Sequence, residues 1–233
     1  TNLTAETGTS WGGTKTVTAV NGATTTTSNT KFYGTSKQFD GSNDYASTQA
    51  SNDWKFGTGD YTAEAWVRMH SHHDAYVVSN SVGGSFWGLN FWATNGSNGT
   101  IRAGYNTNHE KAYAWSTNTW YHVAVVRISG TSKLYLDGTE IDSQSDTDNM
   151  TSTSEMIIGM DPKGWGLEFD GEISDIRIYN GIGKYTGAFT VPNSSTSVAS
   201  ATGGLPIRNT SGTDGGTASS GFRADVIPGT STD

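Results

Sequence analysis

The chain has no cysteine, which excludes a disulfide scaffold, a thiolate zinc site and a cysteine nucleophile. That absence leaves the compartment open, because a large β-sandwich buries enough surface without covalent staples. Cationic charge is also scarce: 14 Lys and Arg stand against 22 Asp and Glu, a formal net charge of −8. A nucleic-acid partner would need a positive footprint and is excluded. No stretch approaches the ~18 consecutive apolar residues of a membrane span, so no membrane insertion is expected. Phosphate-binding, dinucleotide-binding, HExxH and EF-hand patterns are all missing. The chain opens at Thr1 with no Met and no signal-like apolar stretch, which suggests a matured product or a segment of something longer.

What is present points to strands. Charged residues are 15% of the chain, below the ~25% of an average globular protein, so polarity comes from Ser, Thr, Asn and 30 Gly. Thr suits a pleated strand, whereas Gly, Asn and Ser suit turns. A helical bundle is excluded. Eight Trp among 11% aromatics offer too much ring surface for a disordered chain. A length of 233 residues fits one all-β domain with extensions.

Composition divides the chain into residues 1–30, a Thr-rich extension, residues 31–193, and residues 194–233, a Ser/Thr/Gly-rich arm. Only the middle zone carries enough apolar surface to fold; the flanks can lie on it or on a neighbour. Within the body, period-two alternation predicts strands at Tyr61 to Met69, Phe86 to Trp92, Ile101 to Tyr105, Trp120 to Ile128, Leu134 to Leu136, Glu155 to Gly159 and Glu172 to Tyr179. Asp137-Gly138 reads as a hairpin turn. About a dozen strands and no helix imply an all-β, two-sheet antiparallel sandwich with extended N- and C-terminal arms. Trp66 and Trp120 are expected in its core.

Several segments resemble a known family. Phe39-Asp40-Gly41-Ser42-Asn43-Asp44-Tyr45 and Tyr61-Thr62-Ala63-Glu64-Ala65-Trp66-Val67-Arg68 are similar to the opening strands of laminin-G-like (concanavalin A-like) jelly rolls. Trp120-Tyr121-His122-Val123-Ala124 with Leu134-Tyr135-Leu136-Asp137-Gly138 resembles their central hairpin. Ile157-Ile158-Gly159 and Phe169-Asp170-Gly171-Glu172-Ile173 through Tyr179 resemble their closing strands. The likeness covers about residues 31–193 and implies the jelly-roll fold without fixing an activity. Gly203-Gly204-Leu205-Pro206-Ile207 and Phe222-Arg223-Ala224-Asp225 further resemble extensions that follow such domains in virion proteins of tailed phages.

Glu168-Phe169-Asp170-Gly171-Glu172 matches the E-x-D-x-E pattern of laminarinase-type glycosidases on the same fold, whose three acids share a strand face. Gly171, which weakens a strand interior, argues against that use, and no catalytic residue is expected. The related pentraxins imply calcium at Asp161 and Asp170, since carboxylates suit a hard cation. The loop that would supply the opposing acids reads Gly83-Gly84-Ser85, so no cofactor is expected. Asp40, Asn43 and Asp44 read as an Asx-type turn. His72 and Asp74 have a spacing that could hold a transition metal, but they lack a third ligand. His122 reads as a packed core residue. Trp87, Trp92, Tyr105, Tyr113, Trp115 and Trp165 are candidate ligand-binding rings, because a flat apolar body with a polar handle suits sugar stacking. Leu205, Pro206, Ile207, Phe222, Val226 and Ile227 are the arm's large apolar groups, spaced as separate anchors onto another subunit or protein.

These readings favour a non-enzymatic virion structural or adhesive protein, a capsid decoration or tail component on the particle surface. Its partners would be other virion proteins, further copies of itself and surface glycans. A carbohydrate-binding module of a secreted or host-recognition protein is the second reading, and a glycosidase using Glu168 and Glu172 the third.

Overall fold

The computed structural model describes residues 3–5, 15–32, 34–82, 85–93, 98–105, 109–163, 166–191 and 224–228. The strands run in chain order: β1 Leu3–Ala5, β2 Lys15–Val20, β3 Thr24–Thr26, β4 Ser36–Asp40, β5 Tyr45–Ser47, β6 Tyr61–Met69, β7 Ala75–Val82 and β8 Ser85–Ala93. There follow β9 Asn98–Tyr105, β10 His109–Ala114, β11 Trp120–Ile128, β12 Thr131–Leu136, β13 Thr139–Ser145, β14 Ile157–Ile158, β15 Asp170–Asn180 and β16 Ala224–Pro228. A single 3₁₀ turn at Asn52–Trp54, capped by the Ser51 hydroxyl accepting from the Asp53 N–H, is the helical content among the described residues.

Two sheets result. Sheet I has the order β13-β12-β11-β6-β15-β4-β3, with β16 also paired to β15; sheet II has the order β1-β2-β5-β14-β7-β8-β9-β10. Strands β6 and β11 begin and end where the alternation placed them. The Asp137-Gly138 turn has φ of 46° and 78°, the left-handed pair that a two-residue hairpin requires. The Thr-rich extension is not separate from the body: β2 joins β5 and β3 joins β4, and Val17 is buried in the core. No helix among the described residues is long and apolar enough to cross a membrane.

The core lies between the sheets. Tyr61, Ala63, Ala65, Val67 and Met69 of β6 and Val123 and Val125 of β11 meet Val77, Trp87, Leu89, Phe91, Ile101 and Ala103 of sheet II. Strand β15 reaches that core through a register shift between Ser174 and Arg177, at Asp175 with φ 54°. Straight alternation from Ile173 would send Asp175 and Arg177 inward. The bulge restores phase, so Ile173, Ile176 and Ile178 are core residues and Arg177 turns to the outer face. Trp66 does not enter this core: it is buried on the outer face of sheet I, edge-on to Phe32 and His122. Trp120 is only half-buried, because it sits at the first position of β11 with a rim on one side.

Candidate binding site

The outer face of sheet I carries the carboxylates that suggested a hydrolase. Phe169 points into the core, and Asp170 and Glu172 face outward together. Gly171 has φ 146°, and a Cβ there would lie 2.1 Å from the Arg68 carbonyl oxygen, so glycine is required by the close approach of β6. Glu172 has a fully buried side chain. It accepts hydrogen bonds from Arg68 Nη1 at 2.8 Å and Asn29 Nδ2 at 3.1 Å, and His70 Nε2 lies 3.0 Å away. Asp170 is held by His70 Nδ1 at 3.2 Å and the Ser71 hydroxyl at 2.6 Å. The Glu168 carbonyl lies 2.7 Å from His73 Nε2.

Further along the same face, residues 181–191 form a strap over a second buried cluster. Glu64 accepts from Lys184 Nζ at 2.5 Å and from the Tyr185 hydroxyl at 2.5 Å, with Arg177 Nη1 at 3.6 Å and His122 Nε2 at 3.4 Å. Burial alone would raise the Glu64 carboxyl. The His122 hydrogen bond and the charges of Lys184, His122 and Arg177 overcome that and hold it well below the usual carboxylate range. Arg177 is also paired with Asp175. Phe189 stacks on Tyr185 and both pack on Ala124, Val126 and Tyr135. The strap thus covers the face over Glu64, while Glu172 is buried under its own partners and Asp170 stays partly exposed.

The proposed metal ligands are likewise engaged. Asp161, fully buried, accepts from the Lys163 N–H at 2.8 Å and the Leu167 N–H at 3.4 Å, an Asx-type turn. Asp170 has the histidine and serine partners just described. Among the described residues, no three His, Asp or Glu groups converge as a metal site. In the Asp40 turn, the Asp44 carboxylate accepts from the Asp40 N–H, and burial pushes its pKa up to about 6. His72 Nε2 lies 2.8 Å from the Trp115 carbonyl, so it pins a loop.

One constellation has no sequence signature. Ser132 Oγ lies 2.8 Å from His109 Nε2, and Asp142 Oδ2 lies 2.8 Å from His109 Nδ1. These are the contacts of a Ser-His-Asp triad. Ser132 and His109 are both fully buried, however, with Ser132 two residues from the core-facing Leu134. The triad ties edge strand β10 to β12 and β13 across the open side of the sandwich, and no reacting carbonyl could reach the serine there.

The aromatic candidates separate by alternation. Trp87 is a core residue, edge-on to Phe56 and Tyr61 at 5.4 and 5.9 Å. Trp115 is also buried, packed on Phe91 and filling the space beside Gly99. Neither can present a ring to a ligand, because odd-numbered β8 positions face inward and Gly99 leaves a recess for the second indole. Tyr105 is half-buried against the core. Tyr113, on edge strand β10, is 37% exposed. Trp165 lies outside the described residues, as do Leu205, Pro206, Ile207 and Phe222. Val226 and Ile227 fall in β16, whose backbone pairs with β15 of the same chain.

Trp92 is different. It lies half-buried on the outer face of sheet II, with the Arg102 guanidinium 4.4 Å from its ring centroid and Arg102 Nη2 2.8 Å from Glu110. Register sets Asn90 beside Arg102 and Arg102 beside Glu110, and Trp92 beside Thr100. Asn90 is 1% exposed, and neither atom of its amide has a hydrogen-bond partner; the Thr100 hydroxyl and Arg102 Nε also have none. Tyr76 borders the patch, with its ring over Gly88, where a Cβ would sit 2.6 Å from it. An unpaired buried amide costs free energy. Its position beside a stacked indole and an Arg–Glu pair makes this a surface able to take a polyhydroxylated ligand. Sequence reasoning singled out Trp92 but missed Asn90, Thr100, Arg102 and Glu110. The same alternation that buries Trp87, Leu89 and Phe91 marks Asn90 and Trp92 as outward-facing.

A family model described as the concanavalin A-like lectin/glucanases superfamily matches residues 40–182. A search of curated proteins gave no match. Among solved structures, domain 4 of AbnA, a GH43 extracellular arabinanase from Geobacillus stearothermophilus in complex with arabinotriose, is similar with a TM-score of 0.54 and 18% identity, covering 76% of this chain and 84% of that one. Trypanosoma rangeli sialidase is similar at a TM-score of 0.54 and 16% identity, covering 71% of this chain and 27% of the sialidase. The botulinum neurotoxin serotype D binding domain is similar at 0.51 and 16%, covering 81% and 48%. This chain therefore spans about a quarter and a half of the latter two. At these identities the likeness is one of fold.

Proposed function

From the premise that the chain belongs to the concanavalin A-like lectin/glucanases superfamily, we propose that it is a non-enzymatic binding domain that takes an uncharged glycan on the outer face of sheet II. The observation that carries this reading is the buried Asn90 amide, unpartnered at both atoms, beside the half-buried Trp92 and the Arg102–Glu110 pair. Sugar C–H faces would stack on the exposed part of the indole and hydroxyls would pair with Arg102 and Glu110, while the buried Asn90 amide and Thr100 hydroxyl would be reached once the side chains over them move aside. The arabinotriose bound to the similar arabinanase domain supports a sugar as the ligand class. Against catalysis stands Glu172, sealed by Arg68, His70 and Asn29. The reading needs no metal.

Binding of the purified protein to an array of neutral oligosaccharides tests it. Trp92→Ala and Asn90→Ala are each expected to weaken the captured glycan at least about tenfold, equivalent to about 1.4 kcal/mol, with a chelator leaving wild-type binding unchanged. Wild-type-like binding by both variants would contradict the reading.

The finer setting we propose is the surface of a virion, with the body as the adhesive face and the terminal extensions serving assembly. The Ser/Thr/Gly-rich composition of residues 194–233 supports this, because such a segment cannot build a core of its own and orders where another surface supplies sheet-edge hydrogen bonds.

A further inference from the structure

One edge of β15 is divided between two strands. β4 pairs with Asp170 to Ile173. Past the bulge, the same edge from Ile176 to Asn180 is taken by β16, which runs parallel to it, while β6 holds the opposite edge on both sides of the bulge. Ile176, Arg177, Ile178 and Tyr179 are all buried. Without a strand in this slot, those of their N–H and C=O groups that do not face β6 would form an open sheet edge, which folded chains usually cover. Half of a central strand thus depends on five residues from the far end of the chain.

The connection does not oblige donor and acceptor to belong to one molecule. Residues 192–223 comprise 32 residues, 18 of them Ser, Thr or Gly. At ~3.3–3.6 Å per residue they can reach about 110 Å, several times the ~17 Å radius of gyration expected for a compact chain of this length. For a connection of this length, the effective concentration of the chain's own end at the slot is taken as on the order of millimolar. Copies crowded on a surface above that level would fill each other's slots at no cost in contacts, because the donated strand is identical.

We infer that the edge of Ile176–Asn180 is a strand-exchange site for Ala224–Pro228 of a second copy. It is closed within one chain in dilute solution and crossed between chains when copies are concentrated. The inference rests on the assembly part of the function proposed above and is independent of the glycan face.

The absence of native cysteine makes the test unambiguous. Asn180 and Pro228 are register partners, and paired β positions have the Cα separation a disulfide needs. In the full chain, the double variant Asn180→Cys with Pro228→Cys should form an intrachain bridge in dilute solution. A mixture of the two single variants should form an interchain bridge whose yield rises as total protein passes about 1 mM. Light scattering from the unsubstituted protein should show dimer mass growing over the same range. The inference is overturned if the mixture does not bridge while the double variant closes on itself. It is also overturned if the double variant fails to close, or if each single variant alone cross-links as readily as the mixture. The assembly reading fails separately: a chain ending at Val191 that incorporates normally into particles would sink it whatever the gels show.

Discussion

Replacing Arg127 with methionine is expected to remove about 3–5 kcal/mol of stability, the cost of breaking a buried pair from one side. Arg127 is 0% exposed. Its Nε donates to the Gly59 carbonyl, Nη2 to the Gly57 carbonyl, and Nη1 to both Asp146 Oδ1 and the Asp148 carbonyl, at 2.8–3.1 Å. The guanidinium also lies 5.0 Å from the Tyr61 ring centroid. One side chain therefore fastens the 57–60 turn and the 146–148 turn to the end of β11. Methionine roughly keeps the volume but leaves the buried Asp146 carboxylate without its counter-charge and takes a donor from the Gly57, Gly59 and Asp148 carbonyls, of which Gly57 keeps the Met150 N–H. For a chain of this size, each kcal/mol shifts the melting midpoint by about 2–4 °C, so a drop of about 10 °C is expected. A urea midpoint moved by the equivalent of less than about 1 kcal/mol, at unchanged slope, would show that the turns are held by other means.

Glu64→Gln is expected to cost about 3 kcal/mol or more at neutral pH, since Lys184 and Arg177 would lose a buried counter-charge. The effect also has a pH signature. The folded Glu64 carboxyl sits well below its ordinary 4.5. Its contribution is therefore fully present above about pH 4.5 and is lost progressively as pH falls towards the lower folded value. Burial lowers the Lys184 ammonium pKa even though Glu64 opposes the shift, so the pair is held by the carboxylate's partners collectively. Urea midpoints measured from neutral pH down to about pH 3 should show the gap between wild type and Glu64→Gln narrowing below about pH 4.5. A constant gap would mean that the strap is fastened by the Tyr185–Phe189 packing and not by charge.

Much of the fold was legible because it depends on neighbours in sequence. The ends of β6 and β11 follow from alternation, and the positive φ of Asp137 and Gly138 from two residues that tolerate it. Contacts between distant residues were not legible. Lys184 reaches Glu64 across 120 positions, so Glu64 read as one outward residue of a strand. The Ser132–His109–Asp142 tie spans three strands and has no spacing rule. The bulge at Asp175 reversed the facing of Arg177, a shift that a straight period-two count cannot anticipate. At the candidate site the alternation was sufficient but was applied to rings alone. It separates Trp87 from Trp92, yet the polar residues around Trp92 emerge only when the register of β8, β9 and β10 is known. The E-x-D-x-E match was the reverse case: a sequence pattern of which Asp170 and Glu172 prove to be consumed by Arg68, His70, Ser71 and Asn29.

The most direct test is a crystal structure of the protein grown with an oligosaccharide selected on the array. The prediction is an intact chain of sugars lying over the Trp92 indole, with a hydroxyl within hydrogen-bond distance of the Asn90 amide and the 181–191 strap still seated on Glu64. Sugar density over Glu172, with Arg68 and His70 displaced and the oligosaccharide cleaved, would contradict the account and restore the hydrolase reading.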